Sequence, residues 1–274
     1  MSDAMRYAVT KRVAHIVLDR PPVNALSLDM IRAVIAALRQ AAADDEARAV
    51  VLSSAVARHF CAGLDLAVLL GKSRDQVFEF VHALYVELHE AQFNLGKPSI
   101  AAVGGSARGG GMTMAISCDV ILAGQYATFG YPEINIGVLP AIHFAHLPRI
   151  AGRHRAFELL FSGRTFAAQE AHELGLVGKV VADAELDTAA NALATDFAAK
   201  SPLVMRAARS AFMRQNDDRH RIADAVEDFC DVVTTDAAQE GYSGLPGETC
   251  TKLVEHDPEK WIPVFGKDHA PLKC

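Results

Sequence analysis

A short apolar run that leads into a glycine triplet constrains this chain more than any other feature. Residues 99–103 are apolar or small and follow Pro98, which predicts a buried strand. A loop of small residues follows, and three glycines at 109–111 precede a helix-like run at 112–117. Glycine lacks a Cβ, and the first N–H groups of a helix have no partner inside it. The stretch therefore predicts either a tight strand-to-helix turn or a site for a negatively charged oxygen.

Strand-like and helix-like patterns alternate along the first 182 residues. The strand patterns occupy residues 13–19, 49–52, 118–123 and 179–182, and residues 128–134 have an extended pattern. The helix patterns occupy residues 27–42, 73–95, 153–161 and 167–174. Helices dominate beyond residue 184, at 201–215 and 219–239, and residues 242–274 have the pattern of an extended tail. This order predicts an α/β core followed by a helical region.

The composition excludes several classes of protein. Of the 274 residues, 51% are hydrophobic, so the chain can bury a sizeable core and is not a disordered protein. Its net charge of −6 argues against a nucleic-acid partner. No apolar run approaches the roughly 20 residues that span a bilayer, and the N-terminus lacks the pattern of a signal peptide. We therefore expect a cytoplasmic protein with no membrane segment.

The cysteines and histidines do not predict a disulfide framework or a metal site. The five cysteines are odd in number and widely spaced. There is no HExxH motif, and His143-x-x-His146 has no nearby carboxylate pair. Other motifs also fail: Gly104-x-Ser106-x-Arg108 lacks the last glycine of a serine-hydrolase elbow, and the glycine triplet lacks the Lys-Ser/Thr of a phosphate-binding loop.

Three further pieces of sequence stand in order along the chain. They are Phe-Cys-Ala-Gly-Leu-Asp at 60–65, Ala-Arg-Gly-Gly-Gly at 107–111, and Phe-Gly-Tyr-Pro-Glu-Ile-Asn-Ile-Gly at 129–137. Set among the predicted strands and helices, they resemble the enoyl-CoA hydratase/isomerase family, also called crotonases, over about residues 5–240. The resemblance implies an α/β fold: a spiral of repeated strand-strand-helix units. We expect this core at 1–200, and a C-terminal helical region and tail at 201–274 that assembles homotrimers or hexamers built as dimers of trimers.

The resemblance also implies a substrate, an acyl-CoA thioester. In the family, two backbone N–H groups point at the thioester oxygen, and they match those of Leu64 and Gly110 here. Such preorganised donors stabilise the negative charge of an enolate where it develops. Contacts with CoA are implied for four residues, which are Ala25, Ala62, Asp65 and Leu66. No separate cofactor is implied, because CoA is part of the substrate.

The catalytic side chains depart from the pattern of the family's hydratases, which hold one water between two glutamates. The second glutamate matches Glu133, but the first falls at Thr113. A threonine hydroxyl can hydrogen-bond water but cannot accept a proton near neutral pH. A single glutamate can still move a double bond by carrying one proton between two carbons. We therefore expect double-bond isomerisation or an atypical hydration. The alternatives are a non-catalytic acyl-CoA binder and a CoA-thioester hydrolase or decarboxylase of the same fold.

Two other stretches depart from the family. Residues 141–146 stand where the family's hydratases commonly have a glycine-rich turn. In this stretch His143 is either a catalytic acid or base or a side chain that packs within a turn. We favour the packed turn, in which His143 and Phe144 fill space and narrow the acyl pocket. The usual C-terminal CoA contact is absent, and Lys252 and Lys260 are its only candidate substitutes. The sequence does not fix the orientation of the aromatic side chains on the long helix at 73–95.

Overall fold

Strands and helices alternate along the part of the chain that the computed structural model describes, which is residues 4–65, 69–235 and 238–239. The strands are β1 (Met5–Thr10), β2 (Val13–Leu18), β3 (Ala49–Ser54), β4 (His59–Cys61), β5 (Ser99–Val103), β6 (Ser106–Arg108), β7 (Val120–Gly124), β8 (Thr128–Gly130), β9 (Thr165–Ala167) and β10 (Lys179–Val181). The helices are α1 (Leu28–Ala43), α2 (Arg74–His82), α3 (Leu88–Phe93), α4 (Gly110–Ile116), α5 (Ala141–Ala151), α6 (Arg153–Ser162), α7 (Ala168–Glu173), α8 (Leu186–Ala199), α9 (Pro202–Gln215) and α10 (Arg219–Val233). A π-helical turn, Ala83–Glu87, joins α2 to α3, and 3-10 turns cover Pro132–Ile136 and Asp183–Glu185.

The strands form two sheets that are built from the same repeating units. One sheet has the order β1-β2-β3-β5-β7-β10, and the other has the order β4-β6-β8-β9. Three pairs of successive strands contribute one strand to each sheet: β3 and β4, β5 and β6, and β7 and β8. Pairing is parallel except at the β1–β2 and β8–β9 edges. This arrangement confirms the predicted spiral of strand-strand-helix units.

The larger sheet is buried on both faces, which explains its continuous apolar strands. Successive side chains of a strand point to opposite faces. Val50 and Ala101 therefore face the main core, while Val51 and Ile100 face a second cluster under α8. That cluster is closed by small side chains of α8 that allow close packing, which are Ala190, Ala194 and Ala198.

Several helix and strand boundaries agree with the sequence patterns. Strand β5 covers the predicted residues 99–103. Ser27 caps α1 by accepting a hydrogen bond from the Met30 N–H, and Ser73 forms a capping box with Gln76 at the start of α2. The predicted helix at 219–239 is shorter as α10, which ends at Val233 and a turn.

Other predictions were wrong or incomplete. Residues 132–136 form a 3-10 turn instead of continuing an extended segment, because Pro132 fixes a helical φ at its start. Residues 141–151 form helix α5 and not a turn. The long helix at 73–95 contains the π-helical turn, and the strands β1, β4, β6 and β9 were not predicted. None of the helices among the described residues is long and apolar enough to cross a membrane.

A buried ion pair fixes the C-terminal helices to the larger sheet. Arg209 of α9 donates from Nε to Asp119 Oδ2 at 2.8 Å and from Nη2 to the Gln92 carbonyl at 2.7 Å. The same Asp119 oxygen accepts the Ser99 N–H at 2.8 Å, at the start of β5. The Arg209 side chain is only 5% exposed, so these partners must offset the free-energy cost of burying its charge.

We predict that Arg209→Leu lowers the free energy of unfolding by about 3 kcal/mol, because it removes a buried cation and leaves the Asp119 carboxylate, whose side chain is only 18% exposed, without its partner. Arg206→Leu on the exposed face of the same helix is the matched control and is expected to change it by less than about 0.5 kcal/mol. Urea unfolding followed by circular dichroism measures both, and equal losses would show that the ion pair is not what fixes α9.

Candidate active site

Two loops meet at one end of the smaller sheet. Strands β4 and β6 are parallel neighbours, so the loops at their carboxyl ends emerge side by side. A Cβ on Gly63, in the first loop, would lie 2.9 Å from the Arg108 carbonyl oxygen and 3.4 Å from the Gly110 nitrogen. Gly63 and Gly109 also have positive φ angles of 95° and 46°, which favour glycine. The structure therefore brings together the two segments that carry Leu64 and Gly110.

Backbone contacts hold both of these residues in place. Leu64 forms an isolated parallel bridge with Leu26, in which the Leu26 N–H donates to Gly63 O at 2.7 Å and the Asp65 N–H donates to Leu26 O at 3.0 Å. Gly110 is the first residue of α4, where an N–H has no partner inside the helix. A Cβ on Gly110 would lie 3.3 Å from Leu64 Cδ2, so the two residues are adjacent.

Three of the four residues predicted to contact CoA lie beside this pair. Arg20 donates from Nη1 to the Ala25 carbonyl at 2.6 Å and from Nη2 to Asp65 Oδ2 at 2.9 Å. The Ala62 N–H donates to the Val23 carbonyl at 3.0 Å, which joins the loop after β4 to the segment between β2 and α1. Leu66 lies outside the described residues.

Glu133 faces the glycine triplet from the 3-10 turn. It is 8% exposed, and its Oε1 would lie 2.6 Å from a Cβ on Gly109. Its Oε2 is buried and has no hydrogen-bond partner among the described residues. Burial raises the pKa of Glu133 from 4.5 to about 7, and no neighbouring charge adds to this rise. A carboxylate with a pKa near neutrality can take up and release a proton at working pH.

Two tyrosines that the sequence reasoning did not assign to the site surround this carboxylate. Burial, and after it the charge of Glu133, raises the pKa values of Tyr85 and Tyr131, so both phenols stay protonated. Tyr85 lies in the π-helical turn and hydrogen-bonds the backbone of Ile142, while the Tyr131 hydroxyl is buried and has no partner in the part of the chain that the structure describes. Tyr131 directly precedes the Pro-Glu pair, which was a usable signal; the inward orientation of Tyr85 was not readable from its helical pattern.

Thr113 occupies the position at which the family's hydratases have their first glutamate. It is fully buried within α4, and its Oγ1 lies 3.5 Å from His143 Nε2. The position therefore faces an imidazole and not a carboxylate. Ser106, the serine of the near-match elbow, begins β6 and hydrogen-bonds His59 at 2.9 Å, away from the glycines at the strand's other end.

His143 is buried behind the glycine triplet, on helix α5. Its Nε2 lies 3.3 Å from the Gly109 carbonyl oxygen, and its Nδ1 lies 3.0 Å from His146 Nε2. Burial lowers the pKa of His143 to about 3, so the ring is neutral. Phe144 does not fill the interior as expected, because it is 36% exposed and stacks on Phe161.

A comparison with protein families identifies the chain. The model of the family described as "Enoyl-CoA hydratase/isomerase" matches residues 8–245. The chain belongs to the enoyl-CoA hydratase/isomerase family. Its membership confirms the resemblance drawn from the three motifs, and the geometry above is therefore that of a site in an enoyl-CoA hydratase/isomerase fold.

Individual family members agree in sequence and in structure. YngF of Bacillus subtilis, whose name assigns it to the same family, is 36% identical over 216 residues, which cover 77% of this chain and 82% of YngF. The enoyl-CoA isomerase/hydratase fer4 of Mycosarcoma maydis is 34% identical over 209 residues, which cover 73% of this chain and 76% of fer4. The crystal structure of an enoyl-CoA hydratase from Bacillus anthracis superposes with a TM-score of 0.74 at 31% identity, covering 88% of this chain and 95% of that one.

We predict that Gly109→Ala disrupts the site more than its positive φ alone explains. Both Gly109→Ala and the control Gly71→Ala place alanine at a positive φ, which costs about 1 kcal/mol or more, and the cost is greater at Gly109, whose ψ of −113° lies outside the left-handed helical region. A Cβ at Gly71 meets nothing within 4 Å, whereas one at Gly109 collides with the Glu133 carboxylate. We therefore expect a loss in unfolding free energy of about 3 kcal/mol for Gly109→Ala. Equal losses in urea unfolding would mean that Glu133 does not pack against the loop.

Proposed function

We propose that this enzyme isomerises the double bond of an enoyl-CoA thioester, with Glu133 as its one acid and base. The thioester oxygen accepts hydrogen bonds from the backbone N–H groups of Leu64 and Gly110. The CoA moiety lies along the loops that contain Ala25, Ala62 and Asp65. The substrate class is that of the family, and fer4 carries both isomerase and hydratase in its name.

The reaction needs a single proton carrier. The Glu133 carboxylate removes a proton from C2 of a 3-enoyl thioester, and the C–H electron pair moves into the carbonyl to give a dienolate. The two N–H donors stabilise the negative charge on its oxygen. The protonated Glu133 then returns the proton to C4, and the double bond is left between C2 and C3. No water, redox partner or second acid takes part, so atoms and charge balance.

The observation that carries this proposal is the isolation of the Glu133 carboxylate. It lies against Gly109, one of its oxygens has no partner within the described ranges, and its pKa is about 7, so it can act as a base and then as an acid near neutral pH. The hydratase arrangement requires a second carboxylate, and that position is occupied by Thr113 beside a neutral His143. A threonine and a neutral imidazole add no second negative charge, which favours isomerisation over two-carboxylate hydration.

We predict that Glu133→Gln abolishes turnover while binding of a CoA thioester survives, because the amide cannot carry the proton. The assay is a panel of 2-enoyl, 3-enoyl and aromatic enoyl-CoA thioesters followed by mass spectrometry and absorbance. Isomerisation leaves the mass unchanged and shifts the spectrum, hydration adds the mass of water, and hydrolysis releases CoA. The control Glu185→Gln, on an exposed 3-10 turn, should turn over normally.

Each other outcome of that assay assigns a different function. Water addition by the unaltered enzyme would replace the isomerase proposal with an atypical hydratase, and release of CoA would indicate a thioester hydrolase. Tight thioester binding with no turnover in any form would indicate a non-catalytic binder. An unchanged rate in Glu133→Gln would remove Glu133 from the mechanism.

We also predict a pH signature of Glu133 in the stability of the unliganded protein. The pKa of Glu133 is raised from 4.5 to about 7 on folding, so its contribution to stability is fully present below pH 4.5 and is lost as the pH rises through about 7. One pKa unit corresponds to about 1.4 kcal/mol. Between pH 4.5 and about pH 8, the unaltered protein should therefore lose about 3 kcal/mol of unfolding free energy relative to Glu133→Gln. Comparing the two proteins across pH cancels the pH-independent cost of the amide. A constant difference would mean that Glu133 titrates normally.

Assembly and location remain parts of the proposal. Helix α9 exposes Leu203 and Val204 at 77% and 64%, and Phe212 at 64%, which is consistent with the expected homotrimer or dimer of trimers. The predicted cytoplasmic location and the predicted boundary between residues 200 and 201 stand as expectations from the sequence.

A further inference from the structure

His143 contacts the peptide unit that supplies the proposed Gly110 donor. Its ring is 1% exposed and lies between the Gly109 carbonyl, the Thr113 hydroxyl and His146. The ring of Tyr131 covers it, with 4.5 Å between the ring centroids. The imidazole is thus held on several sides, behind the glycine triplet.

The Gly109 carbonyl and the Gly110 N–H belong to one planar peptide group, in which they point in opposite directions. A donor bound to that carbonyl therefore fixes the direction of the N–H at the other end of the same plane. It also polarises the peptide, because hydrogen bonds in a chain strengthen one another. This matters at Gly109, whose φ of 46° and ψ of −113° lie where only glycine moves freely.

The protonation of the two histidines decides whether His143 can be that donor. A neutral imidazole has one N–H, and its position is set by the partner of the other nitrogen. The Gly109 oxygen can only accept, so a bond to it requires hydrogen on His143 Nε2 and leaves Nδ1 to accept from His146 Nε2–H. Burial lowers the pKa values of both rings, as do the neighbouring histidines, His89 among them, which keeps them neutral.

The Thr113 hydroxyl is compatible with this arrangement. The backbone N–H of Thr113 donates to the Gly109 carbonyl oxygen at 3.1 Å, and that oxygen has a second lone pair that can accept from His143. The hydroxyl lies 3.5 Å from the same His143 nitrogen, which is at the long limit of a hydrogen bond. The shorter contact to the carbonyl therefore determines the tautomer.

We propose that His143 is a positioning residue whose Nε2–H binds the Gly109 carbonyl and so aims and polarises the Gly110 N–H toward the thioester oxygen. This inference rests on the proposed function, because it assumes that Gly110 is an oxyanion donor. It differs from a role as an acid or base: His143 keeps its proton and acts through the peptide group. It also gives a reason for a histidine at a position where the family's hydratases commonly have a glycine-rich turn.

The experiment compares His143→Leu, which removes the donor, with His143→Gln, whose amide places an N–H near the position of Nε2. Both are made in the unaltered enzyme for kinetics and in Glu133→Gln for binding of a 13C-carbonyl-labelled cinnamoyl-CoA. The carbonyl stretch of the bound thioester, seen by infrared difference spectroscopy, reports the strength of the donors. His82→Leu, on a half-buried helix face, is the control.

We expect His143→Leu to lose most of the carbonyl shift and about 100-fold in kcat, with KM changed by less than about threefold. His143→Gln should retain the shift and a kcat within about threefold of the unaltered enzyme. An unchanged carbonyl shift in His143→Leu would overturn the proposal. So would a His143→Gln variant as slow as His143→Leu, since that would make His143 an acid or base.

Two further measurements keep the outcomes separate. Long-range 15N NMR of the unaltered protein reports the His143 tautomer without any variant, and hydrogen on Nδ1 instead of Nε2 would overturn the proposal even where His143→Leu fails to fold. A Glu133→Gln protein with His143 intact that binds the thioester without a carbonyl shift would instead show that the oxyanion site itself, and with it the proposed function, is wrong.

Discussion

The close approach of two backbone segments is the constraint on which the rest of this site depends. A Cβ at Gly111 would collide with the Cys61 carbonyl oxygen, and one at Gly63 would lie 2.9 Å from the Arg108 carbonyl. The segments around β4 and β6 can lie this close because glycines stand at both sides of the contact, at Gly63 and at Gly111. The sheet supplies the alignment, since parallel neighbours end at the same edge. In the proposed function, backbone packing therefore sets the position of the thioester oxygen.

Burial then determines the chemistry of the side chains around that contact. Glu133, Thr113 and His143 lie on three different elements, and all are at least nine-tenths buried. Removal from water raises the pKa of the carboxyl group and lowers that of the imidazole, so both groups are driven toward their neutral forms. The result is a site with one ionisable group poised near neutral pH and an imidazole that remains an uncharged hydrogen-bond partner.

The sequence predicted the parts of this site that rest on local signals. The apolar run at 99–103 became β5, a helix begins directly after Ser73, and the glycine triplet begins a helix as expected. The strands β4, β6 and β9 were missed because three residues carry too little periodicity to distinguish a strand from a loop. Helix α5 was missed because Pro140 and Pro148 flank or interrupt its pattern, although a proline is tolerated near a helix end.

The sequence also revealed two departures from the family, at Thr113 and at residues 141–146, but it did not show that they lie together in the fold. Thr113 and His143 are thirty residues apart, and only the tertiary structure places their side chains 3.5 Å from each other. A glutamate at 113 would put a second carboxylate into this buried region, and like charges in low dielectric cannot both ionise cheaply. A threonine and a neutral imidazole remove that repulsion and leave Glu133 to titrate alone. The two departures therefore form one neutral pair, a threonine and an imidazole whose side chains lie 3.5 Å apart, beside a single buried carboxylate.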